Sequence, residues 1–544
     1  MAGGPGGSGA GVSTASLAWA IIMASFAAFG GILFGYDTGT IGGIIAMDDW
    51  LKAFGTYDAT GTLGLATNGY YLPANDKSLV VSILSAGTFF GALIAFPLGD
   101  MVGRKYGLVS SCVIFVVGVG MQLSTSWGVF VTGRVIAGLG VGAVSCLVPM
   151  YQSECAPKAV RGMIVGLYQL AITIGALLSG IVLNATKNQQ THASWRTPIA
   201  VQFAWAVILG GGMLLLPESP RYLMYKGKTE QAKYALARLM SVSPDEPAVE
   251  AELAEISLAL ESERSVSSNS YLDCFRNNAS RNGFRTWTGI LLQGFQQLTG
   301  INFIIYYGTT FFQSAGISNA FIITISIDVI NTCCTIVGVQ LIDRVGRRRL
   351  LTIGAISLCV CEFIIATVGV TAGKANATGG GENVVAQRVL IAFVCFYIAF
   401  FATSWGPVAW VITGEIFPLA IRAKGMSMST ASNWLWNFGI GYATPYLVDP
   451  STTGPLGVKT AHLGVKVFFL WGATCATCFL FAFFCVAETK GLSLEQIDLL
   501  YRESTIIGSN KYRQQMLAAN ETFLHHEGAG AGEIKTHDDE KVSV

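Results

Sequence analysis

The chain of 544 residues is too apolar to be a soluble protein. Only 12% of its residues are charged and 52% are hydrophobic, whereas a soluble domain carries about 25% charged residues. Such a chain cannot cover its surface with polar side chains, so lipid must be its outer solvent. The net charge of +1 and the lack of a dense basic run argue against a nucleic-acid partner.

Apolar segments of about 20 residues, long enough to cross a bilayer, follow one another along the chain. We predict twelve spans over 18–46, 78–98, 107–125, 128–152, 163–184, 199–216, 286–313, 318–341, 350–371, 387–412, 426–447 and 465–486. The sequence thus divides into a disordered N-terminus (1–17), a six-helix bundle (18–216), a cytosolic helical connector (217–285), a second six-helix bundle (286–490) and a cytosolic tail (491–544).

Charged motifs recur at equivalent places in the two halves. Gly99–Tyr106 contains the pattern Asp-x-x-Gly-Arg-Lys, and Asp343–Arg348 repeats it as Asp-x-x-Gly-Arg-Arg. The recurring charged residues are Asp100, Arg104, Glu154, Arg161, Glu218 and Arg221 in the first half and Asp343, Arg347, Glu415, Arg422 and Glu488 in the second. Parallel repeats of six spans are typical of carriers that bind their substrate between the halves and work by alternating access.

The loops that hold these motifs also carry most of the lysines and arginines, which predicts that they and both termini face the cytosol. We expect the acids and arginines to form a cytosolic latch that holds the two halves together while the carrier faces outward. Partly solvated ion pairs contribute only about 0.2–1 kcal/mol each, so such a latch can open. A purely topogenic role would explain the sign of the arginines but not the matched acids.

Four further motifs resemble those of the sugar porter family of the major facilitator superfamily. They are Pro217–Arg221, Gln296–Asn302, Gly406–Trp410 and Glu488–Gly491. Two others, Gly35–Gly42 and Ala402–Pro407, are similar to fungal hexose transporters. The resemblance covers nearly the whole chain and implies an all-α membrane protein with the twelve-helix major facilitator fold. It also implies a plasma-membrane transporter of a monosaccharide, a hexose such as glucose, with no enzymatic activity, cofactor or metal.

Span seven carries amides in a helical pattern. Gln293, Gln296 and Gln297 fall at i, i+3 and i+4 and therefore share one helix face. Three glutamines facing lipid would be costly, so this face must point inward. Gly300 can break the helix and leave Asn302 directed into the same cavity. Neutral amides bind sugar hydroxyls reversibly, although hydrogen bonding between helices is the alternative role for such residues.

The resemblance to sugar porters implies further site residues. It assigns sugar contacts to Gln296, Gln297, Asn302, Gln169 on span five, Asn331 on span eight, Trp410 on span ten, and Asn433 and Trp434 on span eleven. Tyr306 and Tyr307 match the outer gate that follows the break in span seven.

Asp37 is a carboxylate within span one, where a charge is costly and by default functional. Arg134 in span four lies at a compatible depth. Paired with Arg134, the Asp37 carboxylate would keep its charge; with the pair broken, desolvation would favour the protonated form. Asp37 as proton carrier and Arg134 as its modulator would couple proton entry to sugar entry.

Proton–hexose symport is therefore the leading hypothesis, and the proton is the expected coupling ion. A passive hexose facilitator is the alternative, because yeast facilitators of this family keep an aspartate at the position of Asp37. A sugar sensor that does not transport is a third reading, although sensors usually carry tails longer than the roughly 50 residues after Gly491. No nucleotide-binding loop or catalytic triad appears, and no obligate protein partner is evident.

Overall fold

A computed structural model describes residues 21–23, 25–57, 69–156, 161–189, 191–264, 271–276, 278–314, 320–372, 384–418, 421–449, 459–492 and 494–518. The first half contains α1 (Phe29–Ile44), α2 (Asp48–Phe54), α3 (Ala74–Val102), α4 (Arg104–Gln122), α5 (Trp127–Cys155), α6 (Arg161–Thr186) and α7 (Ala193–Leu215). The connector contains α8 (Pro220–Tyr225), α9 (Thr229–Met240), α10 (Pro247–Arg264) and a 3-10 turn (Tyr271–Phe275).

The second half contains α11 (Asn282–Leu298), α12 (Ile301–Ser314), α13 (Ala320–Val345), α14 (Arg347–Ala372), α15 (Val384–Thr403), α16 (Trp405–Glu415), α17 (Arg422–Val448), a 3-10 turn (Gly464–Lys466), α18 (Val467–Cys485) and α19 (Leu494–Glu503). Spans one to six are α1 and α3–α7. Span seven is α11 with α12, span eight α13, span nine α14, span ten α15 with α16, span eleven α17 and span twelve α18.

In the described part of the chain, nine of these spans are long and apolar enough to cross a membrane. The other three have local reasons for falling short. Span one has only 16 residues in α1, span seven is broken in two, and span eleven carries many polar residues. The helical order agrees with the twelve predicted spans.

Most helices run several residues past the predicted apolar segments. Span two was expected over 78–98 and forms Ala74–Val102, and span nine was expected over 350–371 and forms Arg347–Ala372. A helix satisfies its own backbone hydrogen bonds and therefore continues into the interface after the apolar run has ended. We call the end of the bundle that carries Asp100 and Asp343 the motif end, and the other end the opposite end.

Two small elements were not expected. Between spans one and two, β1 (Thr56–Tyr57) pairs antiparallel with β2 (Tyr70–Tyr71), so the fold is not entirely helical. The predicted cytosolic tail begins with the packed helix α19. Its Asp498 forms an ion pair of 2.8 Å with the buried Arg285 of span seven, whose guanidinium also stacks on Tyr501.

The two bundles contact each other through span two against span eleven and span five against span eight. At the motif end, Ser427 Oγ of span eleven donates a hydrogen bond of 2.9 Å to the Ala92 carbonyl of span two. At the opposite end, Lys77 Nζ of span two lies 3.0 Å from an Asp449 carboxylate oxygen that follows span eleven. Polar contacts therefore join the bundles on both sides of the chamber between them.

Candidate substrate site

The centre of the site is the break in span seven. Gly300 separates α11 from α12 and has φ +89°, a conformation that favours glycine. A Cβ at this position would also come within 2.7 Å of the Trp471 ring of span twelve. The break predicted from Gly300 is therefore present.

The three span-seven glutamines converge on Asn433 of span eleven. The Asn433 amide nitrogen donates to the side-chain oxygens of Gln293 and Gln296, at 2.7 Å each. Its oxygen accepts a 2.9 Å hydrogen bond from Gln297 Nε2. Asn302, beyond the break, donates to the Gln297 oxygen. We call these five side chains the amide network; all are buried, which places the glutamine face inside the protein.

Span ten completes the network at its own break. Gln293 Nε2 donates to Thr413 Oγ1 at 3.1 Å, and Gln296 Nε2 donates to the carbonyls of Trp405 and Gly406 at 3.0 and 2.9 Å. These carbonyls follow Ser404, where span ten departs from helical geometry. Pro407 explains the break, because its ring removes a backbone donor and clashes with the carbonyl four residues earlier. This second discontinuity was not predicted from the sequence.

Asn437 is a further amide beside the network, and it was not predicted from the sequence. It lies one turn after Asn433, and its oxygen accepts hydrogen bonds from Ser85 Oγ at 2.6 Å and from Tyr306 OH at 3.0 Å. Ser85 belongs to the first bundle, so Asn437 links the two halves. The i, i+4 spacing from Asn433 was the available signal, since it places both amides on one helix face.

The other expected sugar contacts lie on the surrounding walls. Trp410 is buried with its ring edge-on to Tyr168, 5.8 Å between centroids. Trp434 is buried against Phe34, and its Nε1 donates to Ser145 Oγ at 3.1 Å. Aromatic faces of this kind suit the C–H surface of a sugar ring.

Gln169 and Asn331 do not join the amide network through any hydrogen bond between described residues. The Gln169 Nε2 atom lies 3.6 Å from where a Cβ of Gly406 would be, so it borders span ten. The Asn331 Oδ1 atom is buried and has no hydrogen-bond partner among the described residues.

Asp37 and Arg134 lie together in the first bundle. The Arg134 Nη1 atom is 3.7 Å from Asp37 Oδ1, and the side chains are only 2% and 0% exposed. This distance allows charge attraction but exceeds ordinary hydrogen-bond length. Arg134 is held in place because its Nε donates to the Val80 carbonyl at 3.2 Å.

Tyr306 connects this ion pair with the amide network. Its hydroxyl bonds to Asn437 and is close enough to Asp37 and Arg134 for electrostatic interaction with both. Tyr307 donates a 2.6 Å hydrogen bond to the Gly441 carbonyl of span eleven. The two expected gate tyrosines therefore both bind span eleven toward the opposite end.

The motif end contains two nearly identical ion clusters. Arg104 pairs with Asp100 at 3.0 Å and with Glu154 at 3.2 Å. In the second half, Arg347 pairs with Asp343 and with Glu415, at 2.9 Å each. A hydroxyl supports each glutamate: Ser219 donates to Glu154 and Thr489 to Glu415.

The expected latch between the two halves stays a prediction, because the ion pairs of these two clusters do not cross between them. Each described pair lies within one bundle, because the motif residues and their glutamate belong to neighbouring helices of the same half. The clusters tie together the ends of three spans in each bundle, whereas described contacts between the bundles include those of Ser427, Ser85 and Lys77 with spans two and eleven. Charge spacing along the chain reveals the repeat but not which half supplies the partner.

Glu218 and Glu488 play equivalent parts as remote helix caps. Glu218 accepts hydrogen bonds from the backbone N–H groups of Arg104 and Lys105, and Glu488 from those of Arg347 and Arg348. These N–H groups lie at the first turns of spans three and nine, where helix N–H donors lack intrahelical partners and a negative charge is favourable. Burial raises the pKa of Glu218, while the hydrogen bonds from Ser219 and Lys105 oppose that rise.

Two expected latch residues with described side chains, Arg221 and Arg422, are not members of these clusters. The side chain of Arg161 lies outside the described part of the structure. Arg221 makes no ion pair with another described residue. Arg422 donates to the Phe417 carbonyl, at 3.3 Å from Nε and 3.2 Å from Nη2.

Two six-span bundles around a neutral amide-lined chamber, with a buried ion pair beside it, define a membrane carrier of the major facilitator type. The model of the sugar (and other) transporter family matches residues 23–501. The chain therefore belongs to the sugar transporters of the major facilitator superfamily, and the predicted family, the twelve-helix fold and the exclusion of an enzyme are confirmed.

Known proteins are similar over most of the chain. The major facilitator-type transporter ecdD of Aspergillus rugulosus is 48% identical over 519 residues, 94% of this chain and 93% of that protein. The probable glucose transporter rco-3 of Neurospora crassa is 46% identical over 488 residues, 89% of this chain and 80% of that protein. The proton:xylose symporter XylE of E. coli superposes with a TM-score of 0.73 at 28% identity, over 90% of this chain and 100% of that structure.

Proposed function

We propose that this transporter moves hexoses, glucose foremost, across the plasma membrane by alternating access and couples sugar entry to proton entry. The observation that carries the proposal is the buried Asp37–Arg134 pair, which Tyr306 connects to the amide network. Similarity to a probable glucose transporter and to a proton:xylose symporter supports the same substrate class and coupling.

The amide network suits reversible sugar binding. Each glutamine and asparagine side chain carries hydrogen-bond donors and an acceptor, so it can either donate to a sugar hydroxyl or accept from one. The network contains no charged side chain, and therefore it would not attract inorganic ions. Trp410 and Trp434 supply aromatic surface for the ring, while Gln169 and Asn331 offer amides from spans five and eight.

The ion pair supplies a proton site whose affinity depends on conformation. With Arg134 beside it, the Asp37 carboxylate is stabilised in its charged form. A movement of span one away from span four would leave a buried carboxylate without its cation, and proton uptake would then neutralise it. Because Tyr306 contacts Asn437, sugar binding at the amides can shift this equilibrium.

The orientation follows the positive-inside rule. The motif end would face the cytosol together with both termini, the connector and the tail, while Lys77 and Asp449 would lie at the outer end. In that orientation Tyr306 and Tyr307 lie between the amide network and the outside, as an outer gate requires.

The test is glucose uptake into proteoliposomes with and without an inward proton gradient. We expect uptake against a glucose gradient that a protonophore abolishes. Asp37→Asn should lose this accumulation but keep glucose counterflow, because exchange needs sugar binding and rocking without net proton movement. Glu362→Gln is the matched control, since Glu362 is another buried carboxylate in a span but lies outside the ion pair; it should accumulate glucose normally.

Two outcomes would replace the proposal. Uptake that equilibrates glucose and ignores the proton gradient identifies a passive facilitator. A folded protein that binds glucose but shows neither uptake nor counterflow identifies a sensor.

A further inference from the structure

Span eight carries a second membrane carboxylate, Asp328, which lies one turn before Asn331. The i, i+3 spacing places both side chains on one helix face. They line the same narrow cavity between spans one, five, seven, eight and ten. Gly39 of span one and Ile304 of span seven, each beyond the functional residues Asp37 and Asn302, also line it. The cavity therefore adjoins the amide network toward the opposite end.

Asp328 differs from Asp37 in its surroundings. Within the described residues, the Asp328 side chain makes no ion pair or hydrogen bond. Gly180 of span five faces it, and a Cβ there would come within 3.2 Å of Asp328 Oδ2, so the two spans are close. Lys187, which directly follows span five, lies with its Nζ over the ring of Phe321, a residue that lines the same cavity. A carboxylate within a span is costly, and Asp328, unlike Glu362 of span nine, lines the cavity beside the amide network.

The neighbouring groups also favour a ligand that brings hydrogen-bond donors. Asn331 is only 7% exposed, and its buried Oδ1 acceptor has no hydrogen-bond donor among the described residues. Thr309 and Thr324 line the same wall and share a hydrogen bond of 2.9 Å. Two acceptors side by side in a polar-walled cavity match the vicinal hydroxyl groups of a sugar better than they match an apolar compound.

We propose that Asp328 is a specificity-determining residue, and that its carboxylate and the Asn331 oxygen accept hydrogen bonds from hydroxyl groups of the transported sugar. The inference rests on the proposed function and extends the site from the amide network toward the opposite end. When the bundles separate at that end, an entering sugar would contact Asp328 first and would keep this contact as it binds the amide network. The carboxylate then selects substrates by the position of their hydroxyls.

The test compares the sugar selectivity of the wild-type protein with that of Asp328→Ala. Unlabelled glucose and its 2-, 3-, 4- and 6-deoxy derivatives compete with labelled glucose for uptake into proteoliposomes. In the wild-type protein, removal of the hydroxyl that binds Asp328 should weaken competition about tenfold or more, because a hydrogen bond to a charged group is lost. In Asp328→Ala the same deoxy sugar should compete within about twofold of glucose.

Controls separate this role from a structural one. Glu362→Gln, a buried span-nine carboxylate outside the cavity, should keep the wild-type deoxy profile. Asp328→Asn retains the shape and one acceptor, so it serves if the alanine variant does not fold; its discrimination at that hydroxyl should fall between those of wild type and alanine. An unchanged deoxy profile in a folded Asp328 variant overturns the proposal. So does a variant that changes only the pH dependence of uptake, which would make Asp328 a proton site.

Failure of the proposed function gives a different result. If the wild-type protein binds glucose without transporting it, the same comparison is made by the stabilisation that each sugar confers on thermal unfolding in detergent. Loss of the discrimination at one hydroxyl in Asp328→Ala would still support the subsite. If glucose and its deoxy derivatives stabilise no form of the protein, both the subsite and the hexose function are refuted.

Discussion

Truncation of Asn433 tests whether the amide network prepares the site for sugar. In Asn433→Ala, Gln293 and Gln296 lose a 2.7 Å hydrogen-bond donor each and Gln297 loses its 2.9 Å acceptor. Gln293 and Gln296 keep partners on span ten, but Gln297 keeps only Asn302 and a long 3.5 Å contact with Asn437. The glutamines that face the sugar therefore become freer to rotate.

The expected loss of affinity follows from this freedom. Each rotamer-rich side chain that binding must immobilise costs about 0.5–1.5 kcal/mol. If Gln296 and Gln297 both lose their orientation, the free energy of glucose binding weakens by about 1–3 kcal/mol, or roughly 5- to 150-fold in Kd. The direct contact of Asn433 with sugar would add to this loss. Three hydrogen bonds at about 0.5–1.5 kcal/mol each also predict a lower melting temperature.

The assay is glucose affinity, measured by competition uptake and by thermal stabilisation of purified protein. Ser432→Ala is the matched control, because Ser432 precedes Asn433 and donates only to the Ile290 carbonyl at 2.8 Å. Its Kd should stay within about twofold of wild type. A folded Asn433→Ala protein that binds glucose as tightly as the control would show that the network does not organise the sugar site.

Two further predictions concern the ends of the bundle. Gly346→Ala should lower the free energy of unfolding by about 1–2 kcal/mol or more, measured by thermal unfolding. The reason is that Gly346 has φ +104° and an added Cβ would lie 2.6 Å from a Glu488 oxygen. Gly439→Ala is the control and should leave stability unchanged, because a Cβ there would meet open space. Lys77→Met should raise hydrogen exchange of spans two and eleven at their Lys77 end, because the lost bridge to Asp449 is worth about 0.2–1 kcal/mol. Lys233→Met, whose partner Asp245 lies in the connector, should leave the exchange of spans two and eleven unchanged. Equal effects of both variants would refute the role of the Lys77–Asp449 bridge in joining these two spans.

Local patterns in the sequence were enough to predict the span-seven face and its break. Helical spacing grouped the three glutamines, and a glycine within an apolar helix identified Gly300 as the discontinuity. Both are properties of neighbouring residues, which is why no knowledge of the fold was needed. The repeat could also be predicted from local patterns: Gly103 and Gly346 stand at the same position of the repeated motif, and both have positive φ in the structure.

Contacts between distant residues could not be predicted in this way. Lys77 and Asp449 are 372 positions apart, and nothing in their own segments identifies them as partners. The same limit applies to the expected latch, because periodic charges do not show which helices become neighbours. By contrast, Pro407 and Asp328 could have been interpreted from the sequence. A proline inside a span predicts a break in the helix, and a carboxylate inside a span predicts a functional role.

The network also limits how tightly this carrier can hold a sugar. In the structure the amides are already hydrogen-bonded to one another. A sugar hydroxyl that binds an amide must therefore displace an existing amide–amide hydrogen bond. The net gain from such an exchange is comparable to that of a hydrogen bond formed in water, about 1 kcal/mol. Four exchanges would give about 4 kcal/mol, from which the free-energy cost of association must still be subtracted, so these hydrogen bonds alone support only weak binding. Weak binding of this kind lets the sugar leave as readily as it enters, and a carrier that alternates between two faces requires that property at both.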